Sequence, residues 1–330
     1  MVVSSVLGSP PMTVGTSSRS VPVAAFPHGG TLVIATDDGE WMRLGAGEAL
    51  EPMTATGPMS DVVAESDGTL TVACWEPKLH QLRGGAWTTI SLSAPATALA
   101  ATLRGIVIAD AGGGLSLLSG AARVPVQELT SPEPILSLVW AGGGLVALGA
   151  SGSVEVTTWP VVEGGLVPIH TGSIGRAHAI FVGIRPGTAL IAGARGLAVL
   201  DADGTRPRIQ AVTTDLKERV SGAAVFTDRQ RALVYADSGD AWIVDEGLVR
   251  ATPVRLSAGV IGAAPSGDGS VLAWTADGAL HTIGSDGATW RVTGDGVVLA
   301  VPDPGRTGAL AIHWTASGGT RVTRGHVAWN

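Results

Sequence analysis

Leu32-Val33-Ile34-Ala35-Thr36-Asp37-Asp38-Gly39 is a short apolar run closed by a polar turn that ends in glycine. An apolar run of this length, bounded by turn residues, reads as a buried strand. Asp-Gly supplies the positive φ of a tight hairpin turn, and alternation follows at once in Glu40-Trp41-Met42-Arg43-Leu44. The unit is therefore a hairpin. It returns at Leu145-Val146-Ala147-Leu148-Gly149-Ala150-Ser151-Gly152, at Leu233-Val234-Tyr235-Ala236-Asp237-Ser238-Gly239, and at Val271-Leu272-Ala273-Trp274-Thr275-Ala276-Asp277-Gly278. Weaker copies start at Leu70, Ile106, Leu190 and Leu310. From 32 to 310 the successive starts lie 38, 36, 39, 45, 43, 38 and 39 residues apart. A period of about 40 residues is that of a propeller blade with four strands.

Each hairpin follows a segment rich in Ala, Val and Gly, such as Val21 to Phe26, Ala98 to Ala101 and Ile261 to Ala264. Small residues suit the innermost strand, where blades crowd together. A weaker outer strand closes each repeat, as in Trp87 to Ile90 and Trp290 to Thr293. The expected fold is all-β: one β-propeller domain over residues 1–330, with eight four-stranded blades and seven as the runner-up count. Blades start near 21, 60, 96, 135, 177, 219, 259 and 297. The last repeat has three strands of its own. Residues 1–14, which carry strand-like sequence, are expected to complete it and close the ring; Val327 to Trp329 is the alternative closing strand.

Composition supports a buried core and excludes several classes. Hydrophobic residues make up 45% and charged residues 15%, which is not a disordered composition. The apolar runs are too short for a spanning helix, so no membrane insertion is expected. The net charge of −7 and the absence of a Lys/Arg cluster argue against general nucleic-acid binding. Cys74 is the only cysteine and lies in an apolar run, where a small core residue is the plain reading. Met1 to Met12 lacks a basic region and a long apolar stretch, so the expected location is the cytoplasm. Lysine occurs only at Lys78 and Lys217, tyrosine only at Tyr235 and asparagine only at Asn330. That bias against AT-rich codons suits a GC-rich bacterial genome such as that of an actinobacterium.

Thr36-Asp37-Asp38-Gly39, Thr275-Ala276-Asp277-Gly278 and Ala150-Ser151-Gly152-Ser153-Val154 resemble the strand–turn–strand segment of the WD40-repeat family, which reads roughly Leu-Ala-Thr-Gly-Ser-x-Asp-Gly-x-Val-x-Leu-Trp-Asp. The pattern departs from the family in two respects. No tryptophan is followed by aspartate, and the single Gly-His pair, Gly325-His326, stands at the end of the chain. The family's Asp-His-Ser/Thr-Trp network therefore has no counterpart residues here. What the resemblance implies is a rigid scaffold for protein contacts, a subunit of a larger assembly and not an enzyme.

The chemistry-bearing residues agree with a non-catalytic chain. His28, His80, His170, His178, His281, His313 and His326 form no pair at metal-ligand spacing, so no metal is expected. Most acids, such as Asp37, Asp38, Asp277 and Asp295, sit in turns, where Asp bonds its own backbone. There is no Gly-x-Ser-x-Gly, and Gly45-Ala46-Gly47 and Gly294-Asp295-Gly296 lack the rest of a dinucleotide fingerprint. No catalytic residue and no cofactor is expected.

Two features point to a partner protein. Ten tryptophans stand against one tyrosine and three phenylalanines. Trp41, Trp87, Trp242 and Trp290 lie on strands and read as blade core, whereas Trp75, Trp140 and Trp159 adjoin loops and are candidate anchors. Packing between blades is the plainer role for all of them. The most polar stretch, Asp201 to Arg219, carries Arg206, Arg208, Lys217 and Arg219. Such a charge run is ordinarily a solvated loop; with Lys78 beside Trp75 it is also the candidate partner-facing rim. The expected function is a scaffold or recognition subunit for one or more proteins. The alternatives are a propeller binding a carbohydrate or small molecule and, behind it, a hydrolase or lyase with its site at the channel mouth.

Overall fold

The computed structural model describes residues 12–14, 20–45, 50–119, 126–158, 165–202, 207–216, 218–228, 230–248, 250–266, 268–293, 296–303, 309–314 and 319–325. Among them every regular element is a strand, and the strands form eight four-stranded sheets. The fold is an eight-bladed β-propeller, so the count is eight and not seven.

The first strands of sheets one to eight are Pro22–His28, Met59–Ala64, Ala96–Thr102, Ile135–Ala141, Ala177–Val182, Val220–Val225, Val260–Pro265 and Val297–Pro302. The second strands are Thr31–Thr36, Leu70–Cys74, Gly105–Asp110, Gly144–Gly149, Thr188–Gly193, Arg231–Ala236, Val271–Thr275 and Ala309–Trp314. Strands adjacent in sequence are adjacent in each sheet. The eighth sheet takes three strands from the C-terminal part of the chain and its fourth, Met12–Val14, from the N-terminal part. That pairing is antiparallel, in the register Met12↔Val322, Thr13↔Arg321 and Val14↔Thr320. The alternative closing strand, Val327 to Trp329, lies outside the described residues.

The repeat is legible because of the second strands. Leu70–Cys74, Gly144–Gly149, Thr188–Gly193 and Val271–Thr275 are buried at every residue. A strand with a neighbour on each side and both faces covered reads as a continuous apolar run, not an alternating one. Fourth strands have one free edge and expose alternate or successive residues, as in Arg208–Thr213 and Ala251–Val254. Trp290 sits on such a strand, Thr289–Thr293, and is 37% exposed, so it is not core. Trp41 is buried as expected, and its indole Nε1 donates to Thr56 Oγ1 at 3.0 Å. Cys74 is buried and is not part of a disulfide.

Two compact units divide the chain: Met1–Gly57 with Gly222–Val244 and Thr252–Asn330, and Pro58–Ser221 with Asp245–Ala251. Within the second unit, sheets two and three share a core of Ala73, Leu79, Leu99 and Ile106, and sheets four and five share one of Val146, Leu148, Ile180 and Ile191. Within the first, Leu32 and Ile34 pack on Leu310 and Ile312. Burying each such aliphatic side chain stabilises the fold by about 1.5–3 kcal/mol.

Two devices recur in the first strands. The register to the second strand slips by one residue near the start of seven of them, at Pro22/Ala24, Met59/Asp61, Ala96/Ala98, Ile135/Ser137, Ala177/Ala179, Val260/Gly262 and Val297/Leu299. Each slip is a β-bulge, which leaves one residue unpaired and re-aims its side chain. The second device is matched size. Where the residue just after the bulge faces alanine, it is often alanine itself, as in Ala24↔Ala35, Ala98↔Ala109 and Ala179↔Ala192. Where the second strand carries Trp274, the facing residue is Gly262.

Candidate functional site

The site is built at one end of sheets four and five, where second strands turn into third strands and the chain enters each first strand. The sheet-four turn is Ala150-Ser151-Gly152-Ser153. It is closed by Gly152 N–H donating to Gly149 O and Gly149 N–H donating to Ser153 O, each at 2.9 Å. Gly152 has φ +83°, and a Cβ there would lie 2.4 Å from Arg176 Cγ and 2.6 Å from Ala177 O. Only glycine both accepts that backbone conformation and leaves room for the arginine stem.

Glu133, just before sheet four, holds the turn from the other side. Its carboxylate accepts from Ser151 N–H at 2.6 Å, from Ser151 Oγ at 2.7 Å and from Ser153 Oγ. The Ser153 hydroxyl first, then Ser151, hold this carboxyl below its ordinary range.

Sheet five contributes Arg176 and His178. The Arg176 stem crosses Gly152, and its Nη2 donates to Ala150 O at 2.9 Å. The loop before Arg176 is anchored by fully buried Ile174, with Arg195 N–H donating to Ile174 O at 2.8 Å and Arg195 Nη2 to Gly172 O at 2.6 Å. His178 is the residue thrown out by the sheet-five bulge, since Ala177 pairs Gly193 and Ala179 pairs Ala192. Its Nε2 lies 2.9 Å from Val220 O at the start of the sheet-six first strand. A carbonyl only accepts, so Nε2 carries a proton. Arg219 immediately precedes Val220 and is exposed. Leu136 is the bulge residue of sheet four, equivalent to His178, and is 56% exposed.

These groups surround a partly open cleft of about 600 Å³. Arg176, His178 and Arg219 line it together with Leu136, Leu148 and Ala150, and among the described residues no carboxylate does. On a chain of net charge −7 this is a local inversion of sign. The cleft can take an anionic group next to an apolar one. Among the described residues that line it there is no pair of acids.

Of the residues expected from sequence, the structure brings Arg219 alone into this cleft. Trp75 is 69% exposed at the second-to-third-strand turn of sheet two, the same end of its own sheet. Lys78 begins the next strand, with Nζ 2.5 Å from Glu76 Oε2. Trp140 lies at the opposite end of its strand, half-buried against Leu138 and Leu145. Arg208 is exposed on the outer strand Arg208–Thr213, paired with Asp201 in register. Trp159, Arg206 and Lys217 lie outside the described residues. Leu136, Arg176 and His178 were not expected. The available signal was positional: Leu136 and His178 each stand second in their first strands.

No family model matches the chain, and no curated protein sequence matches it. Solved structures do. A computationally designed protein, Ika8, superposes with a TM-score of 0.73 at 14% identity, over 93% of this chain and 97% of that one. A streptogramin B lyase superposes with a TM-score of 0.60 at 12% identity, over 80% of this chain and 93% of that one. The WD40 β-propeller domain of Doa1 superposes with a TM-score of 0.54 at 12% identity, covering 80% and 92%. The chain is thus a β-propeller with WD40-like structural neighbours. At these identities the likeness is one of fold.

Proposed function

We propose that the chain is a non-catalytic recognition subunit that binds a protein partner through the end of its sheets carrying Trp75, Leu136 and the Arg176–His178–Arg219 cleft. One observation carries this reading. An arginine-lined cleft with an exposed apolar wall stands on a chain of net charge −7. Exposed aromatic and apolar anchors beside arginine are the usual ingredients of an interface hot spot. The WD40-like fold, in a neighbour of which the domain is named for that repeat, adds support by analogy. The likeness to a lyase, at 12% identity, is one of fold and carries no activity over.

The test is affinity purification of the tagged chain from its native host, with the wild type beside L136D and W75A. The expected result is a stoichiometric partner that L136D loses. Recovery of the wild type as a free monomer under varied conditions, or a partner that both variants retain, overturns the proposal. A small-molecule reading has one observation in its favour, a volume within the roughly 300–1,000 Å³ of ligand sites.

A further inference from the structure

We infer that the cleft between sheets four and five recognises an acidic peptide segment, one in which a carboxylate side chain stands next to an apolar residue. The inference rests on the recognition reading above and names the chemistry of the partner.

Charge complementarity is the first argument. Arg176, His178 and Arg219 line the cleft without a carboxylate among them. Glu133, whose charge interacts with that of Arg176, already accepts from Ser151 and Ser153. Arg176 is also held in place before any ligand arrives. Its stem lies over Gly152, and Ala150 O takes one N–H. Guanidinium has five N–H donors in a rigid fork that matches a carboxylate, so donors remain for a ligand. An arginine already ordered gives up less rotamer entropy on binding.

The second argument is the polarity of the other groups. His178 is held by Nε2–H donating to Val220 O, which leaves Nδ1 as its second polar atom. A peptide backbone carries both N–H and C=O groups that can meet such an atom. Leu136, pushed out by its bulge, offers apolar area beside the arginines. The third argument is shape. Small-ligand sites bury roughly 70–90% of their ligand, whereas Leu136, Arg176 and Arg219 all remain exposed here. An extended segment can continue out of such a cleft. Nucleic acid fits poorly, since a polyphosphate would meet the field of a chain at −7 beyond these few cations.

The experiment is selection of a randomised displayed peptide library on the full-length chain, followed by fluorescence polarisation with the enriched peptide. Enrichment of Asp or Glu beside Leu, Ile, Val or Phe is expected. Binding should weaken at least tenfold for R176A and for R219A, and at least tenfold when the peptide's acids become Asn or Gln. It should be unchanged for R208A, whose arginine lies outside the cleft. No enrichment, enrichment without acids, or equal binding by R176A overturns the inference. So does displacement of the peptide by inorganic phosphate or glutarate at the peptide's own affinity, which marks a small-anion site instead. Circular dichroism of each variant confirms that it is folded. If no acidic peptide is selected while L136D still loses its host partner, the inference falls and the recognition reading stands. If the host partner is also absent, both fall.

Discussion

Gly262→Ala tests whether the matched sizes of facing residues hold the blades together. Gly262 pairs with Trp274 in sheet seven. A Cβ at Gly262 would lie 2.2 Å from Trp274 Cζ2, 2.3 Å from Cε2 and 2.5 Å from Nε1. Ordinary van der Waals contact begins near 3.4 Å, so the indole must retreat by more than 1 Å. It has little room to do so, being 8% exposed and packed among Leu272, Leu280 and Val297. Overpacking of this kind costs about 1–3 kcal/mol. Trp274→Ala alone opens a cavity and costs about 3–5 kcal/mol. In the double variant the pair becomes Ala–Ala, which sheets one, three and five already use. There the glycine substitution meets no ring, and it lowers the entropy of the unfolded chain by about 0.4–1 kcal/mol. The cycle should therefore close with a coupling of about 1.4–4 kcal/mol. Urea midpoints followed by circular dichroism, at unchanged m, give the four values. If G262A costs as much on the W274A background as on the wild type, the steric account is wrong.

Three further outcomes follow from single groups. Burial raises the carboxyl of Asp61 above its ordinary range, although Leu99 N–H at 2.7 Å and Val62 N–H at 2.8 Å oppose the shift. A raised acid favours the fold while protonated, so its contribution is present below pH 3.8 and lost as pH rises through the folded pKa. Wild-type urea midpoints should fall relative to D61N over that rise, and a constant difference between them would show that Asp61 is not the titrating group. Asp277 is the opposite case, its carboxyl pulled down to about 2 by the hydroxyls of Thr275 and Ser257. Its contribution is present above pH 3.8 and lost as pH falls towards about 2, so the advantage of wild type over D277N should shrink on acidification. Trp41→Phe removes the indole donor to Thr56 and some buried volume, and should cost about 1–3 kcal/mol in urea unfolding. A Thr56→Val change should then cost less on the W41F background than on wild type.

The blades were legible because their second strands are covered on both faces. Leu32 to Ala35 and Val271 to Trp274 had to be apolar without interruption, and their Asp-Gly turns had to reverse the chain. N-terminal closure was legible for a related reason: the last repeat came one strand short, and an unpaired edge is costly. Trp290 was misread because strand position alone does not fix burial. A fourth strand is an edge, and its large residues can face solvent.

The cleft was hidden for a different reason, which also locates where function can reside in such a repeat. Arg176 and Ala150 O meet across 26 residues, and His178 and Val220 O across 42, about one repeat apart. No short motif spans that distance. The bulges give seven first strands the same unpaired position, occupied by Val23, Ser60, Thr97, Leu136, His178, Ile261 and Val298. Backbone geometry at that address is set by the repeat, so the side chain there varies without disturbing the ladder. Ser60 uses the address structurally, donating to Ala96 O at 2.7 Å at the start of the next sheet. His178 makes the equivalent bond to Val220 O and still has a ring nitrogen to spend. Leu136 makes none and exposes its apolar area beside Arg176. A tandem repeat thus announces its fold through what is constant, and its recognition chemistry through a few residues at one recurring position.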